Sequence, residues 1–376
     1  MRILILDTYY PSFLSHLYSR HPEVSERPYD EQWRLLMGQC FGTADFYSFN
    51  LQQFGHEATE VVTNCEELQR QWANEHGIKL DENRKWELAR RRGVPWLRRA
   101  KRTDWFYTVL AAQVKQYRPD VLYVQDMNEV SAIFLHEMRP HVRLIVGQIA
   151  CAIAKEADFT EYDLILSSFP HFVERFRREG CKSEYLKLGF EPRVLNRLSD
   201  GKRYGAVFVG GLSRQHQKRT QFFEELANHD PVDFWGYGFD ELPRNSPLHK
   251  RYHGDAWGLE MYRVLHEAKI ALNFHIDVAG PYANNCRLFE AAGVGALLMT
   301  DWKINLSEIF EVGKEVIAYR TSAECAELSR YYLEHEDERK AIAAAGQRRI
   351  MAEHTYQKRM EELAAILEQT LSVIKS

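Results

Sequence analysis

Short, almost uninterrupted apolar segments recur along the whole chain, and they constrain its fold more than any other feature of the sequence. A strand with one face in water alternates polar and apolar residues, whereas a strand buried on both faces is apolar throughout. Segments of helix length with charged faces separate these apolar runs. The alternation predicts βαβ units and an α/β fold with doubly wound parallel sheets. The predicted strands lie at residues 2–6, 121–124, 144–146, 164–166, 206–209, 232–235, 270–274 and 296–300.

The predicted strands form two groups, and a polar segment at residues 191–203 separates them. A chain of 376 residues is long enough for two domains of ordinary size. The region around residues 51–108 looks helical and is predicted to be an insertion. The C-terminal tail is rich in helix-forming residues and is predicted to be interrupted at Gly346. We predict an N-terminal domain over residues 1–195, a C-terminal domain over 196–355 and a final helix over 356–376.

Charge and cysteine content argue against several classes of protein. The net charge of −4 gives no general sign of nucleic-acid binding, and no apolar run is long enough to span a membrane. The six cysteines are scattered without C-x-x-C pairs, which argues against a zinc site or a disulfide framework and fits a reducing cytoplasm. Residues 84–102 differ, because they contain nine basic residues and one acidic residue. They form either a solvated helical face or a contact for a membrane surface, an anionic acceptor or nucleic acid.

A glycine pair follows the first predicted strand of the C-terminal domain. The segment 206–220 reads AVFVGGLSRQHQKRT, in which Gly210 and Gly211 lead through a polar loop into a helix. Glycines allow the backbone to approach a bulky anion, and a helix N-terminus offers unpaired N–H groups. Arg214, Lys218 and Arg219 add positive charge nearby. The segment predicts either a diphosphate cradle or an ordinary βα turn, and it matches neither the P-loop nor the dinucleotide fingerprint.

The segment 270–301, IALNFHIDVAGPYANNCRLFEAAGVGALLMTD, carries the densest group of candidate ligand-binding residues. A helix is expected to begin at Asn284 or Asn285, since asparagine is a favourable N-cap. Arg287 and Glu290 are three residues apart and therefore share a face of that helix. At the carboxyl edge of a parallel sheet, Glu290 would accept hydrogen bonds from a ribose and Arg287 would neutralise a phosphate. The alternative is an intrahelical ion pair of little consequence.

These motifs resemble those of the GT-B glycosyltransferases. From about residue 206 onward, NNCRLFEAAGVGALLMTD and ERKAIAAAGQRRIMAEHTY are similar to the CgeB-like group related to glycosyltransferase family 4, whereas the N-terminal half matches only in its βαβ layout. The resemblance implies two Rossmann-like domains that face a central cleft, and a terminal helix that crosses back to the first domain. It also implies that Glu290 binds the ribose of a nucleotide sugar, and that Gly210 and Gly211 lie beside its diphosphate. Many family 4 enzymes carry a second glutamate, and Tyr282 occupies its position here.

We therefore predict a hexosyl-type glycosyltransferase that uses a nucleotide sugar as co-substrate, with no cofactor and no metal ion, and with an acceptor that the sequence does not identify. Asn284, Asn285 and Arg287 are expected to replace the donor contacts of the missing glutamate. In the first domain, Asp126 follows a predicted strand and is the first candidate for a catalytic group. His16 is the second candidate, because histidine can deprotonate an acceptor hydroxyl near neutral pH.

Other functions remain open. A GT-B-like epimerase would also bind a nucleotide sugar, but it would release an altered sugar without needing an acceptor. A scaffold that has lost catalysis would act as a binding protein, and the tyrosine at position 282 favours this alternative. A nucleic-acid-binding protein would rest on residues 84–102 alone, and no specific nucleic acid is predicted.

Overall fold

The strands of the computed structural model alternate with helices, as the sequence predicts. All eight predicted strands are present, with small shifts in their bounds. The structure describes residues 1–80, 86–91, 94–99, 104–154, 157–199, 201–212 and 217–375. Its strands are β1 (Arg2–Asp7), β2 (Glu57–Val62), β3 (Trp86–Arg91), β4 (Val94–Arg99), β5 (Val121–Val124), β6 (Leu144–Gln148), β7 (Leu164–Ser167), β8 (Ser183–Tyr185), β9 (Tyr204–Val209), β10 (Val232–Trp235), β11 (Ala268–Asn273), β12 (Leu297–Asp301) and β13 (Ile317–Tyr319).

Two sheets organise these strands. One has six strands in the order β2-β1-β5-β6-β7-β8, and the other has five in the order β10-β9-β11-β12-β13. The strand pairs in both sheets are parallel, which confirms the predicted fold class of two Rossmann-like parallel sheets. The helices are α1 (Pro11–Arg20), α2 (Tyr29–Gly38), α3 (Phe46–Gln53), α4 (Glu66–Glu75), α5 (Asp104–Tyr117), α6 (Ala132–Met138), α7 (Pro170–Arg178), α8 (Gln217–Ala227), α9 (Leu259–Glu267), α10 (Cys286–Gly293), α11 (Ser322–Glu334), α12 (Glu336–Glu353) and α13 (Tyr356–Lys375).

The prediction of a helical insertion over residues 51–108 is wrong in part. Glu57–Val62 is a strand that pairs with β1 along its whole length. It lies at the edge of the six-stranded sheet, and its exposed Glu57 is followed by the buried Ala58. An edge strand of this kind is not a continuous apolar run, so the criterion that found the central strands missed it. The strands β3 and β4 also fall in this region, where they form an antiparallel hairpin.

The five-stranded sheet packs on helix α8 through an aromatic core. Phe208 on β9 lies with its ring centroid 4.1 Å from that of Phe223 on α8, and both side chains are buried. Phe222 stacks on Tyr319 of β13 at a centroid distance of 5.2 Å. Burial of these large rings contributes about 1.5–3 kcal/mol for each side chain. The packing fixes the carboxyl ends of β9, β11 and β12, from which the candidate site is built.

Packing groups the described residues into two compact units. The first contains residues 1–38, 55–148 and 153–164, and the second contains 39–54, 149–152 and 165–376. These units differ from a simple division at residue 195, so the predicted domain bounds remain a prediction. Residues 39–54 lie early in the sequence but pack within the second unit.

The segment 39–54 is attached to the second unit at both of its ends. The carbonyl of Gln39 accepts a hydrogen bond from the backbone N–H of Leu259 at 2.6 Å, at the start of α9. Gly258 makes this approach possible, because a Cβ there would lie 2.2 Å from the Gln39 oxygen. Helix α3 packs against α13, where the ring of Tyr356 lies 5.3 Å from Phe46 and 5.6 Å from Tyr47. An N-terminal segment therefore covers part of the C-terminal helix.

Gly346 does not interrupt the C-terminal tail, contrary to the prediction. Helix α12 continues through it from Glu336 to Glu353. A Cβ at Gly346 would lie 2.4 Å from the carbonyl oxygen of Glu315, so this glycine is needed for close packing rather than for a helix end. Although α12 and α13 are 18 and 20 residues long, neither they nor any other helix in the described ranges is apolar enough to cross a membrane.

Candidate functional site

Helix α10 begins at the carboxyl edge of the five-stranded sheet, and Asn285 caps it as predicted. The side-chain oxygen of Asn285 accepts a hydrogen bond from the Leu288 N–H at 3.2 Å. Its Nδ2 donates to the Asn273 side chain at the end of β11, at 2.7 Å. Asn285 therefore positions the helix on the sheet, and both of its polar groups are already engaged.

Arg287 and Glu290 form a close pair on one face of α10. The Arg287 Nη1 donates to the Glu290 Oε2 at 2.6 Å, and the Glu290 Oε1 accepts from the Tyr262 hydroxyl at 3.3 Å. Glu290 is only 8% exposed. Burial, together with the Glu290 charge, raises the pKa of Tyr262 well above its ordinary value, which keeps the phenol a neutral donor. The Glu290 carboxyl group is therefore partly desolvated, and Arg287 and Tyr262 fix its orientation.

The Gly210–Gly211 loop lies against Tyr237 and its neighbours. A Cβ at Gly211 would lie 2.5 Å from the Tyr237 ring, and a Cβ at Gly236 would lie 2.2 Å from the Gly210 oxygen. The Gly210 N–H donates to the Trp235 carbonyl at 3.0 Å. Close packing between two loops therefore explains why glycine stands at these positions. A diphosphate contact at this loop stays a prediction.

Arg219 on α8 is the buried cation of the site. It is 8% exposed, and its Nη1 donates to the Gly211 carbonyl at 3.0 Å. Its Nε is buried and has no acceptor within the described part of the chain. Burial lowers the pKa of Arg219, and the nearby positive charge of Arg287 adds to this effect. A desolvated guanidinium with a spare N–H is suited to an anionic ligand.

The structure brings most of the predicted donor-binding residues together. The Arg287 Nε donates to the Val209 carbonyl at 3.2 Å, directly before Gly210. Arg219 bonds to Gly211, so α8, α10 and the end of β9 meet at one place. Arg214 lies outside the described residues, and its predicted role is untested.

Asn284 lies apart from this cluster, next to a stacked pair of rings that the sequence did not identify as functional. The Asn284 Nδ2 donates to the Ser168 hydroxyl at 2.9 Å, just beyond β7. Tyr282 stacks on His171 of α7 with a centroid distance of 5.5 Å and an interplanar angle of 7°. Burial lowers the pKa of His171, which favours its neutral form. The position of the second family 4 glutamate is therefore occupied by an aromatic stack.

A buried histidine and aspartate hold the loop before α10. The Asp301 Oδ1 accepts hydrogen bonds from the His275 Nδ1 at 2.6 Å and from the His275 backbone N–H at 3.0 Å. Lys303 lies 3.3 Å from the other carboxylate oxygen and also donates to the Gly280 carbonyl at 2.9 Å. Burial opposes ionisation of Asp301, but the hydrogen bonds and charges of His275 and Lys303 outweigh it and lower its pKa.

Substitution of Asp301 by asparagine is expected to destabilise the protein by about 1–2 kcal/mol near neutral pH, since it removes charge-assisted hydrogen bonds. The folded-state pKa of Asp301 is below its unfolded value, so the stabilisation is present above pH 4 and is lost as the pH falls through the folded pKa. The stability difference between wild type and Asp301→Asn should therefore shrink below about pH 4. Urea unfolding from pH 7 to pH 3 measures it. Asp277→Asn, at an exposed aspartate of the same loop, is the matched control. An equal effect in both variants would contradict the stabilising role of the contacts of Asp301 with His275 and Lys303.

The two candidates for catalysis lie in the first unit. Asp126 follows β5, and its carboxylate accepts hydrogen bonds from the Thr8 hydroxyl at 2.5 Å and from the Asn128 N–H at 3.1 Å. These contacts are those of a turn-forming aspartate. His16 lies on α1, with its Nε2 3.4 Å from Arg20 one turn further along. Both residues therefore have local partners, and their catalytic roles stay predictions.

Two further predictions concern metal ions and the basic segment. In the ranges that the structure describes, no group of three or more His, Cys, Asp or Glu side chains is arranged to hold a metal ion. The side chains of residues 84–102 lie outside the described part of the structure, as do several of their backbone positions. Their proposed contact with a membrane surface or an anionic acceptor stays a prediction.

The architecture defines the class of protein: the chain has the GT-B fold. Its structure superposes on that of a glycosyltransferase from Rickettsia africae ESF-5 with a TM-score of 0.58 and 11% identity, over 98% of both chains. It superposes on HepE of Anabaena in complex with UDP-glucose with a TM-score of 0.61 and 12% identity, over 98% and 100% of the two chains. For sucrose-phosphate synthase of Thermosynechococcus elongatus the values are 0.59 and 10%, over 99% and 100%. At these identities the similarity shows the fold alone.

The sequence of the C-terminal region matches a family model. Residues 214–365 match the model of a family described as glycosyl transferase-like, and the match covers less than half of the chain. No curated protein matches the chain by sequence at a significant level. The narrower placement in a CgeB-like group or in family 4 stays a prediction.

Proposed function

We propose that the chain is a hexosyl-type glycosyltransferase that transfers a sugar from a nucleoside diphosphate sugar to an acceptor. The observation that carries the proposal is that the Arg287–Glu290 pair and the buried Arg219 guanidinium meet at the end of β9, where Arg287 bonds to Val209 and Arg219 to Gly211. Arg219, Arg287 and Glu290 lie in the part of the chain that matches the glycosyl transferase-like family. HepE, with the same fold, was solved with UDP-glucose, which supports a nucleotide-sugar donor here.

The donor nucleotide is proposed to bind along α10 and the end of β9. Glu290 is the proposed acceptor of the ribose hydroxyls, because a carboxylate can accept hydrogen bonds from both. The Arg287 Nη1 lies 2.6 Å from the Glu290 Oε2 and neutralises part of the carboxylate charge. This limits the free-energy cost of keeping the carboxylate buried. The diphosphate would lie beside Gly210 and Gly211, within reach of Arg219.

Stabilisation of the departing nucleoside diphosphate is the main catalytic task in this proposal. Negative charge develops on the leaving oxygen as the glycosidic bond breaks, and fixed cations in a dry site stabilise it without reorganising. Arg219 meets this requirement, since it is buried, is held by Gly211 and has an N–H free of acceptors within the described residues. We propose that these groups make a metal ion unnecessary.

A cytoplasmic location is also proposed. The six cysteines are scattered in the sequence, and all six are free thiols in the structure.

The donor and acceptor ends of the site are assigned by proximity along the chain. Tyr282 and Asn284 precede the ribose-binding helix, so we propose that they lie near the sugar. Their contacts with His171 and Ser168 link that end to the loops after β7. Asp126 and His16 stay the proposed groups for activating the acceptor.

Calorimetric titration with UDP, GDP, dTDP and ADP, and with the corresponding nucleosides, tests the donor site. One nucleoside diphosphate is expected to bind with a Kd in the micromolar range, and its nucleoside at least about 100-fold more weakly, because the buried cation acts on the phosphates. At a concentration of 100 times Kd, the ligand should stabilise the protein by about 2.7 kcal/mol. No binding of any of the four at millimolar concentration would overturn the proposal.

Two other functions give different results in the same assay. The stack of Tyr282 on His171, where family 4 enzymes carry a carboxylate, favours a scaffold that binds nucleotides without turnover. Such a protein would bind a nucleoside diphosphate. It would not release that nucleoside diphosphate from the matching sugar donor, even when a mixture of acceptors is supplied. An epimerase would release an altered sugar without any acceptor. For a metal-independent transferase, we expect release of the nucleoside diphosphate to require an acceptor and to continue in the presence of EDTA.

A further inference from the structure

A second polar pocket lies in the same unit, and none of its residues belongs to the candidate donor site. It has a volume of about 370 Å³ and is formed where β8 ends and α12 turns into α13. This volume is within the range of small-molecule sites. The pocket is lined by Tyr185, Lys187, Glu353, His354, Lys358, Arg359 and Glu362.

Arg359 is the fixed centre of this pocket. It is 5% exposed, and its Nη2 donates to the Glu353 carbonyl at 2.6 Å while its Nη1 donates to the Glu362 carboxylate at 2.8 Å. Its Nε is buried without an acceptor in the described ranges of the chain. Gly189 leaves room for the arginine stem, because a Cβ there would lie 3.2 Å from the Arg359 Cγ. A guanidinium held in this way is already oriented. Because it is buried, it has little hydration left to lose when an anion binds.

Two lysines add positive charge that nothing nearby neutralises. Lys187 is half-buried and Lys358 is exposed, and neither forms an ion pair within the part of the chain that the structure describes. The carboxylates of the pocket are already engaged, since Glu362 pairs with Arg359 and Glu353 pairs with Arg349 at 2.6 Å. Glu308 lies near Tyr185 and contributes one further negative charge. The lining of the pocket therefore has three cations, of which the two lysines are unpaired, and two carboxylates that are both paired.

His354 contributes a buried hydrogen-bond acceptor. Its Nε2 lies 3.3 Å from the Ile309 carbonyl, which must accept the proton, so the neutral ring carries its lone pair on Nδ1. That Nδ1 is buried and has no partner among the described residues. Burial lowers the pKa of His354 to about 4, and the positive charges of Arg359 and Lys187 contribute, so the ring is neutral near pH 7.

We propose that this pocket binds a phosphate group, either free orthophosphate or the phosphoryl group of a small monoester. The unpaired lysines and the Arg359 guanidinium match the charge and the acceptor oxygens of such a group. Hydrogen phosphate also has a hydroxyl that can donate to the Nδ1 of His354, whereas sulfate at neutral pH has none. The site shares no lining residue with the proposed donor site.

Titration of the full chain with potassium phosphate, against potassium chloride at equal ionic strength, tests the proposal. We expect saturable calorimetric binding of phosphate and a rise in thermal midpoint that chloride does not give. Sulfate should bind more weakly than phosphate. Glycerol phosphate separates the two ligand sources, since tighter binding than orthophosphate points to a monoester and weaker binding to the free ion. Absence of any binding beyond the chloride effect at millimolar phosphate would overturn the proposal.

Variants locate the binding. Lys187→Ala and Lys358→Ala should each weaken phosphate binding by about fivefold, because each removes one charge next to the anion. Lys314→Ala removes the same charge at an exposed lysine paired with Glu311 and should have no effect. Arg219→Met should leave this phosphate binding unchanged while weakening nucleoside diphosphate binding. Loss of phosphate binding in Arg219→Met but not in the two lysine variants would place the anion in the donor site and overturn the proposal.

Discussion

Replacement of Glu290 by glutamine is expected to weaken nucleoside diphosphate binding by about 10- to 100-fold while the chain stays folded. Hydrogen bonds to a charged acceptor contribute about 1.5–3 kcal/mol, and the neutral amide offers one oxygen where the carboxylate offers two. Glutamine keeps the size of the side chain and can still accept from Tyr262, now 3.3 Å from the carboxylate. Calorimetric titration of both proteins with the preferred nucleotide measures the loss.

The matched control is Glu260→Gln, which makes the same chemical change at an exposed position of α9. It should leave the affinity unchanged. Glu290→Ala is a harsher variant, because it leaves Arg287 without the carboxylate that lies 2.6 Å away, so part of its effect would be on stability. Wild-type affinity in a folded Glu290→Gln protein would remove the ribose role and with it the main support for the donor site.

Replacement of Gly346 by alanine is expected to destabilise the second unit by about 2–3 kcal/mol, the cost of forcing a methyl group into a filled space. Helix propensity alone gives the opposite sign, because alanine stabilises a helix interior by about 1 kcal/mol relative to glycine. The close approach prevails, because the new Cβ would lie 2.4 Å from the Glu315 carbonyl oxygen, which belongs to the backbone and cannot rotate away. Urea unfolding followed by circular dichroism measures the change.

Ala344→Gly is the control for this prediction, since Ala344 is exposed on the same helix. This variant should be destabilised by about 1 kcal/mol, the difference in helix propensity between alanine and glycine. If Gly346→Ala were as stable as wild type or more so, the packing of α12 against the turn that carries Glu315 would be looser than described. If Ala344→Gly destabilised the protein as much as Gly346→Ala, the loss would reflect a general sensitivity of helix α12 to substitution rather than the contact with Glu315.

The sequence predicts the fold well because the central strands are buried on both faces. Residues 121–124 are apolar throughout and form a strand with those bounds, and residues 232–235, which are apolar except for Asp233, do so as well. The edge strand β2 was missed because three of its six residues are polar, among them the exposed Glu57 and the buried Glu60. Gly346 was misread for a related reason: local propensity does not record that another segment of backbone lies against a helix.

The site is predicted less completely. Asn285, Arg287 and Glu290 could be placed on one helix from their spacing and from the capping preference of asparagine. The partners that give them their chemistry, such as Tyr262, come from elements far away in the sequence. His275 follows β11 and Asp301 is the last residue of β12, and only the sheet order brings their side chains within 2.6 Å. No local pattern carries that information.

The packing of residues 39–54 on the second unit limits how such a protein can evolve. A gene fragment that encoded only residues 196–376 would produce α13 without α3, and would leave the surroundings of Tyr356 open to water. Recombination that joined this C-terminal half to a foreign N-terminal half would have to bring a compatible counterpart of α3 with it. The packing therefore predicts that the two halves are inherited together, and that new specificities arise by substitution within loops rather than by exchange of whole domains.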